Sequence, residues 1–187
     1  ENCENLRKVD IPTNSNLQII ESSAFSCSKI EEIYFPASLK ELKEGWCFGA
    51  NKLKKINISP TNDQFIFKDN KYLLGKSDKN KDEFDILLFA IRDVDEISIP
   101  SNIKIISSYA FYFCENLRKV EILTNSNLQT IKSYAFSWTD IEEIYFPASL
   151  KELKEGWCFG TEKLRKINIS HANDQFIFKD NKYLLGK

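Results

Sequence analysis

A chain of 187 residues with 42% hydrophobic content is long enough to close one sizeable packed core. Its 26 basic and 27 acidic side chains leave no electrostatic excess of the kind that draws a protein to phosphate backbones or anionic lipid, so nucleic acid and membrane surfaces are poor partners. No apolar run approaches the roughly 18 residues that cross a bilayer, and the longest, Asp85 to Ile91, has strand length.

The first phrase, Leu-Arg-Lys-Val-Asp-Ile at 6 to 11, reads apolar, polar, polar, apolar, polar, apolar. The pattern occurs seven times, starting at residues 6, 30, 53, 94, 117, 141 and 164. In an extended chain alternate side chains take opposite faces, so Val9 and Ile11 point one way and Lys8 and Asp10 the other. Each phrase therefore predicts a half-buried strand. The steps between phrases are 24, 23, 41, 23, 24 and 23 residues. Periods in the twenties with one strand each mark a leucine-rich solenoid, whose repeats cannot bury their apolar side without a neighbour. Pro36, Pro100 and Pro147 follow their strands and end pairing by removing a donor. Leu39, Leu42, Leu150 and Leu153 keep apolar spacing, and Ala-Phe pairs at 24–25, 110–111 and 135–136 give way to Trp46-Cys47 in one coil. Stacked Phe, Trp and Leu are predicted to fill the back of the coil. A Lys40 to Glu44 pair, at helical spacing, reads as a solvated face.

Residues 1–76 align without gaps to 112–187, with 61 of 76 positions identical, so one superunit spans 1–111 and a partial second one spans 112–187. The 41-residue step contains an insertion over about 60–93. There Gln64-Phe-Ile-Phe67, Lys71-Tyr-Leu-Leu-Gly75 and Phe84 to Ala90 predict a β-hairpin leaning on the solenoid, with a mobile charged tip near 76–83. The second insertion stops at Lys187, before a closing strand, which predicts a poorly held tail. Without a methionine, a charged leader or a cap before the first phrase, the chain reads as an excerpt of a longer array. Five cysteines do not fit a fully paired framework. Cys3 and Cys27 hold one structural position on consecutive coils, within the roughly 4.4 to 6.8 Å that a disulfide spans. The equivalent pair in the second half is Cys114 and Trp138, which argues for buried thiols instead. Cys47 and Cys158 are assigned to the core.

Three outward rows run across the phrases. The third position reads Lys8, Glu32, Lys55, Glu96, Lys119, Glu143, Lys166, and the second reads Arg7, Glu31, Lys54, Asp95, Arg118, Glu142, Arg165. Both alternate in sign throughout, as expected if they hold coil registry at about 0.2 to 1 kcal/mol per pair. The fifth position differs: Asp10, Tyr34, Asn57, Ser98, Glu121, Tyr145, Asn168. These side chains gain nothing obvious from one another, and tyrosine on a sheet is a favoured interface anchor as well as a good strand former. This row is the candidate ligand-binding surface. In an unbroken stack Tyr34 and Tyr145 stand about 19 Å apart, four strand spacings. Asn57-Ile-Ser59 and Asn168-Ile-Ser170 match the glycosylation sequon, a three-residue pattern that also arises by accident. No catalytic, cofactor or metal set emerges. The lone His171 is replaced by Pro60 in the twin copy, and no Gly-rich phosphate loop is present.

The run Ile103-Lys-Ile-Ile-Ser-Ser-Tyr-Ala-Phe-Tyr-Phe-Cys-Glu-Asn-Leu-Arg-Lys-Val-Glu-Ile122 resembles the BspA-type leucine-rich repeat: an apolar pair, Ala-Phe, Cys, Leu, then an Ile-x-Ile strand. Asn62-Asp-Gln-Phe65 and Lys71-Tyr-Leu-Leu74 loosely match an insertion found in that family. The glycine that the family carries after the apolar pair is missing, with Glu21, Lys43 and Ser107 in its place. The resemblance implies an α/β solenoid: a right-handed coil with a concave parallel β-sheet and short or irregular convex segments. It further implies a cell-surface or secreted adhesion protein that binds host matrix or cell-surface proteins without catalysis. An intracellular scaffold of the same fold and a spacer displaying another domain are the alternatives, since fold alone does not fix function.

Overall fold

The computed structural model describes residues 3–179 and 183–186. Its strands in chain order are β1 (Ile19–Ile20), β2 (Glu32–Phe35), β3 (Glu41–Leu42), β4 (Lys55–Ile58), β5 (Phe65–Lys68), β6 (Tyr72–Gly75), β7 (Ile86–Ala90) and β8 (Glu96–Ile99). They continue as β9 (Ile105–Ile106), β10 (Lys119–Ile122), β11 (Thr130–Ile131), β12 (Glu143–Phe146), β13 (Glu152–Leu153), β14 (Lys166–Ile169), β15 (Phe176–Lys179) and β16 (Tyr183–Gly186). No helix occurs among the described residues. The return path of each coil is built from turns and two-residue strands.

Six of the seven phrases form parallel strands with their apolar residues turned inward: Ile33 and Phe35, Ile97 and Ile99, Ile144 and Phe146 are buried, while Ile58 of β4 and Ile167 and Ile169 of β14, at the ends of their sheets, are half-buried. The exception is the first phrase, 6–11, which forms no strand and leaves Val9 and Ile11 half-buried. The six do not make one sheet. β2 pairs with β4, and β8, β10, β12 and β14 pair in order, but β4 and β8 are not paired. The short strands make a second row with the same interruption: β1 pairs with β3, and β9, β11 and β13 pair in order.

The insertion causes the break. β5, β6 and β7 pair antiparallel, and β7 then joins β9 in parallel, so the hairpin does not merely lean on the coil but continues the second row. All four residues of β6 are buried. Leu73 and Phe89 face a core with Phe35, Trp46 and Phe65, while Tyr72, Leu74, Leu87 and Ala90 face another with Phe111, Phe136 and Phe146. The insertion is a septum between two cores. The charged stretch 76–83, expected to be mobile, is braced at its base. Buried Asp85 accepts from Ser77 N at 2.8 Å, Ser77 Oγ at 2.7 Å and Lys104 Nζ at 3.0 Å. Burial by itself raises this carboxyl, but the bonds from Ser77 and Lys104 outweigh it and hold the group below the usual carboxylate range. β15 and β16 pair antiparallel; the expectation of a poorly held tail falls in part on residues 180–182 and 187, outside the described residues.

The corner behind the second row carries paired left-handed residues four apart: 23 and 27, 45 and 49, 109 and 113, 134 and 138, 156 and 160. Only four of these ten are glycine. Their amides run from coil to coil, as in Cys27 N to Phe48 O at 2.8 Å and Trp138 N to Phe159 O at 3.0 Å. The septum coil lacks this corner. There Ala90 N donates to Ala110 O at 2.9 Å, and the guanidinium of Arg92, 7% exposed, donates to the same oxygen at 3.0 Å while lying 4.5 Å over the Phe89 ring.

Candidate functional site

The structure divides the predicted row of seven. Asp10 lies outside any strand and pairs with Lys8 at 2.9 Å. Tyr34 stands opposite Asn57 in the β2–β4 sheet. Ser98 stands opposite Glu121, and Tyr145 opposite Asn168, in the four-stranded sheet. Because the septum interrupts the stack, the 19 Å separation of Tyr34 and Tyr145 expected from an unbroken sheet does not apply. Three members do converge: Asp10, Tyr34 and Asn57 line one cleft of about 450 Å³, together with Val9, Ile11 and Glu32. It opens where the first phrase fails to pair.

Within the row the members behave differently. Asn57 Nδ2 donates to Glu32 Oε1, and Asn168 Nδ2 to Glu143 Oε1, so both sequon amides are engaged across strands. Hydrogen bonds from Lys55 and then Asn57 hold the Glu32 carboxyl below its ordinary value. Tyr34 and Tyr145 are half-buried, and Tyr145 packs against the core. Neither phenol makes a hydrogen bond among the described residues. Such a tyrosine is partly immobilised by its own fold and keeps a polar tip for a partner.

Among the described residues four pairs of the charged rows form as their alternation predicts, each inside one sheet, and the other neighbours in the rows make none. Lys55 meets Glu32 at 2.8 Å, Lys119 meets Glu96 at 4.0 Å, Lys166 meets Glu143 at 3.1 Å and Arg165 meets Glu142 at 2.8 Å. No ion pair crosses from β4 to β8 among the described residues. The Lys40 to Glu44 pair does not form, because β3 occupies 41–42 and no helix exists there. Glu44 instead bonds Lys132 and Ser108, tying together coils on the two sides of the septum.

Cys27, Cys47, Cys114 and Cys158 are thiols, and Cys27 is not bridged to Cys3. Burial pushes the Cys47 thiol up to about 12 and that of Cys158 up to about 11. Cys47 is buried in the core as expected, while Cys158 is only half-buried.

Sequence reasoning missed an aromatic seam along the left-handed corner. Tyr109 stacks on Tyr134 at 5.4 Å and Phe113 on Trp138 at 5.8 Å, all four at φ near +60°. Behind them lie Gly156 and Gly160, where a Cβ would stand 2.8 Å from the Tyr134 and Trp138 rings. The repeated Gly-x-x-x-Gly at 45–49 and 156–160 was the available signal. Each ring of the pairs has a face covered by its neighbour, so the seam packs one coil on the next, yet Tyr134, Trp138 and the adjoining Phe159 remain 36%, 42% and 60% exposed. Among the described residues no group of three or more His, Cys, Asp or Glu could hold a metal ion, and no helix is long and apolar enough to cross a membrane.

Coils of one short phrase strand and one shorter return strand, stacked in parallel, define a leucine-rich β-solenoid. The model of the BspA-type leucine-rich repeat region matches in six copies over residues 1–73 and 87–182, and the chain belongs to that family. Among solved structures it is similar to a leucine-rich repeat protein of Eubacterium ventriosum, with TM-score 0.71 and 22% identity over 88% of this chain and 42% of that one. It is similar also to the pneumococcal vaccine antigen PcpA, with TM-score 0.71 and 19% identity over 90% of this chain and 46% of that one. A leucine-rich cell surface protein of Faecalibacterium prausnitzii follows, with TM-score 0.55 and 18% identity over 88% and 54%. The chain thus spans about half the length of each. No curated protein matches it significantly.

Proposed function

We propose that this chain is a protein-binding repeat region of a cell-surface or secreted protein, engaging matrix or cell-surface proteins through the outer face of its phrase strands. The observation that carries this reading is the pair Tyr34 and Tyr145: half-buried on the outer face, each with a phenol that makes no hydrogen bond among the described residues. The family, together with a solved relative described as a cell surface protein, supports the location. Binding rather than catalysis fits a surface whose acids and bases neutralise one another across strands.

The test replaces Tyr34 and Tyr145 by alanine together and titrates the protein against immobilised matrix proteins. Loss of at least ten-fold in affinity with an unchanged melting temperature is the expected result, since tyrosine anchors carry 2 kcal/mol or more in interfaces (about a factor of 30). Unchanged binding would remove the row from the site. Four thiols without a bridge favour the intracellular scaffold as the second reading. Thiol labelling of the protein as its cells export or retain it separates the two.

A further inference from the structure

The septum leaves the front of the solenoid with strand edges that have no partner. β4 is paired on one side only, with β2, and β8 on one side only, with β10. Lys55 N and Ser59 N donate to Glu31 O and Phe35 O, so alternation turns the N–H groups of Ile56 and Ile58 toward the open edge of β4. Unpaired N–H and C=O groups in a row are a template for another extended chain. Beside this edge lies a cleft of about 460 Å³ lined by Asn57, Ile58, Ile66, Phe67, Asn70 and Phe84. Ile66 is 40% exposed there, and Ile58, Phe67 and Phe84 are half-buried. Alternate apolar side chains of an added strand would find seats.

Charge selects the occupant. Wherever phrase strands are paired in this chain, a basic phrase lies beside an acidic one, as the Lys55–Glu32, Lys119–Glu96 and Lys166–Glu143 pairs show. On the open side of β4 that complement is missing. Among the described residues Lys54 makes no ion pair, and the next acidic phrase, Asp95-Glu96, is held away by the septum. We infer that the open edge of β4 accepts an extended segment of a partner protein as an added strand. That segment carries two adjacent carboxylates, set against Lys54 and Lys55, followed by alternating apolar residues that enter the cleft. β14 has the same sequence as β4 and is likewise followed by a hairpin, β15–β16, so the variants below change both strands. The inference goes beyond the tyrosine row, and the two can fail separately.

The chain's own acidic phrase supplies the probe: a labelled peptide carrying Ile-Glu-Glu-Ile-Tyr-Phe between soluble flanks, compared with its Ile-Lys-Lys-Ile-Tyr-Phe counterpart by fluorescence anisotropy. Saturable binding of the acidic peptide, at least ten-fold tighter than the basic one, is expected. Ile58→Pro with Ile169→Pro removes outward N–H groups while sparing the pairing to β2 and β12, and is expected to weaken binding at least ten-fold. Lys54→Glu with Arg165→Glu keeps the proline-free backbone and is expected to reverse the preference; it carries the test if the proline variant does not fold. Tyr34→Ala with Tyr145→Ala leaves peptide binding unchanged. Equal affinity for both peptides, no saturable binding, or indifference to the charge reversal would overturn the proposal. So would a protein whose edge is already occupied by a second copy, seen as a dimer that dissociates as peptide binds.

Discussion

The junction between β12 and β14 and the one after β4 both set an acidic phrase next to a basic one along the chain, and they end differently. In the first, Glu143 to Phe146 lies against Lys166 to Ile169 along its whole length, and Lys166 and Arg165 reach Glu143 and Glu142. In the second, β4 would meet the acidic phrase of β8 with equally suitable charges, yet the septum stands between them. Complementary rows therefore permit stacking without dictating it. What decides is where apolar surface is buried, and β6 is covered on both faces, by one core on each side.

That contrast can be broken most severely through Phe89, which is 1% exposed and packs on Trp46 with centroids 6.0 Å apart. Phe89→Ala is expected to cost about 3 to 5 kcal/mol, read from the denaturation midpoint, because the septum loses its hold on the first core. A loss below about 1 kcal/mol would mean that the septum does not seal that core. The Asp85 tie gives a smaller, pH-dependent effect. Its carboxyl is depressed in the folded chain, so its contribution is present above the ordinary carboxylate value near 4 and is lost as pH falls through the lower folded value. Asp85→Asn should lower stability at neutral pH and flatten this acid limb, whereas parallel acid curves for the two proteins would assign the tie no role. Smallest is Glu142→Gln at the regular junction, expected to cost 1 kcal/mol or less and to vanish in high salt, since the pair it breaks is exposed. Lys54→Gln, at the equivalent position beside the gap, should cost nothing measurable. Equal losses at the two positions would contradict the difference in pairing.

Much of the coil was legible in the sequence because its signals are local. The period-two alternation of Val120 and Ile122 or Ile144 and Phe146 marks each strand, and the prolines at 36, 100 and 147 mark its end. The hairpin strands at 65–68, 72–75 and 86–90 were legible for the same reason. Their placement was not, because nothing local says that Leu73 and Leu74 will face two different cores. The first phrase carries the same alternation as the others and still forms no strand, since a strand needs a neighbour as well as a pattern. At the candidate site the identities of Tyr34, Asn57, Tyr145 and Asn168 followed from register. The amide bonds of the two asparagines to Glu32 and Glu143, and the cleft that joins Asp10 to Tyr34, depend on which strands meet. The Trp46-Cys47 departure resolves as exchanged volume: the tryptophan packs edge-on to Phe25 and Phe35, and the small thiol takes the place of a ring.

Hydrogen exchange resolved to single amides of β4 reaches the interrupted sheet most directly. Lys55 and Ser59, bonded to β2, should exchange slowly, while Ile56 and Ile58, turned to the open edge, exchange fast. Uniform protection along β4 would mean that it is paired with β8 after all, and that the chain is one unbroken solenoid.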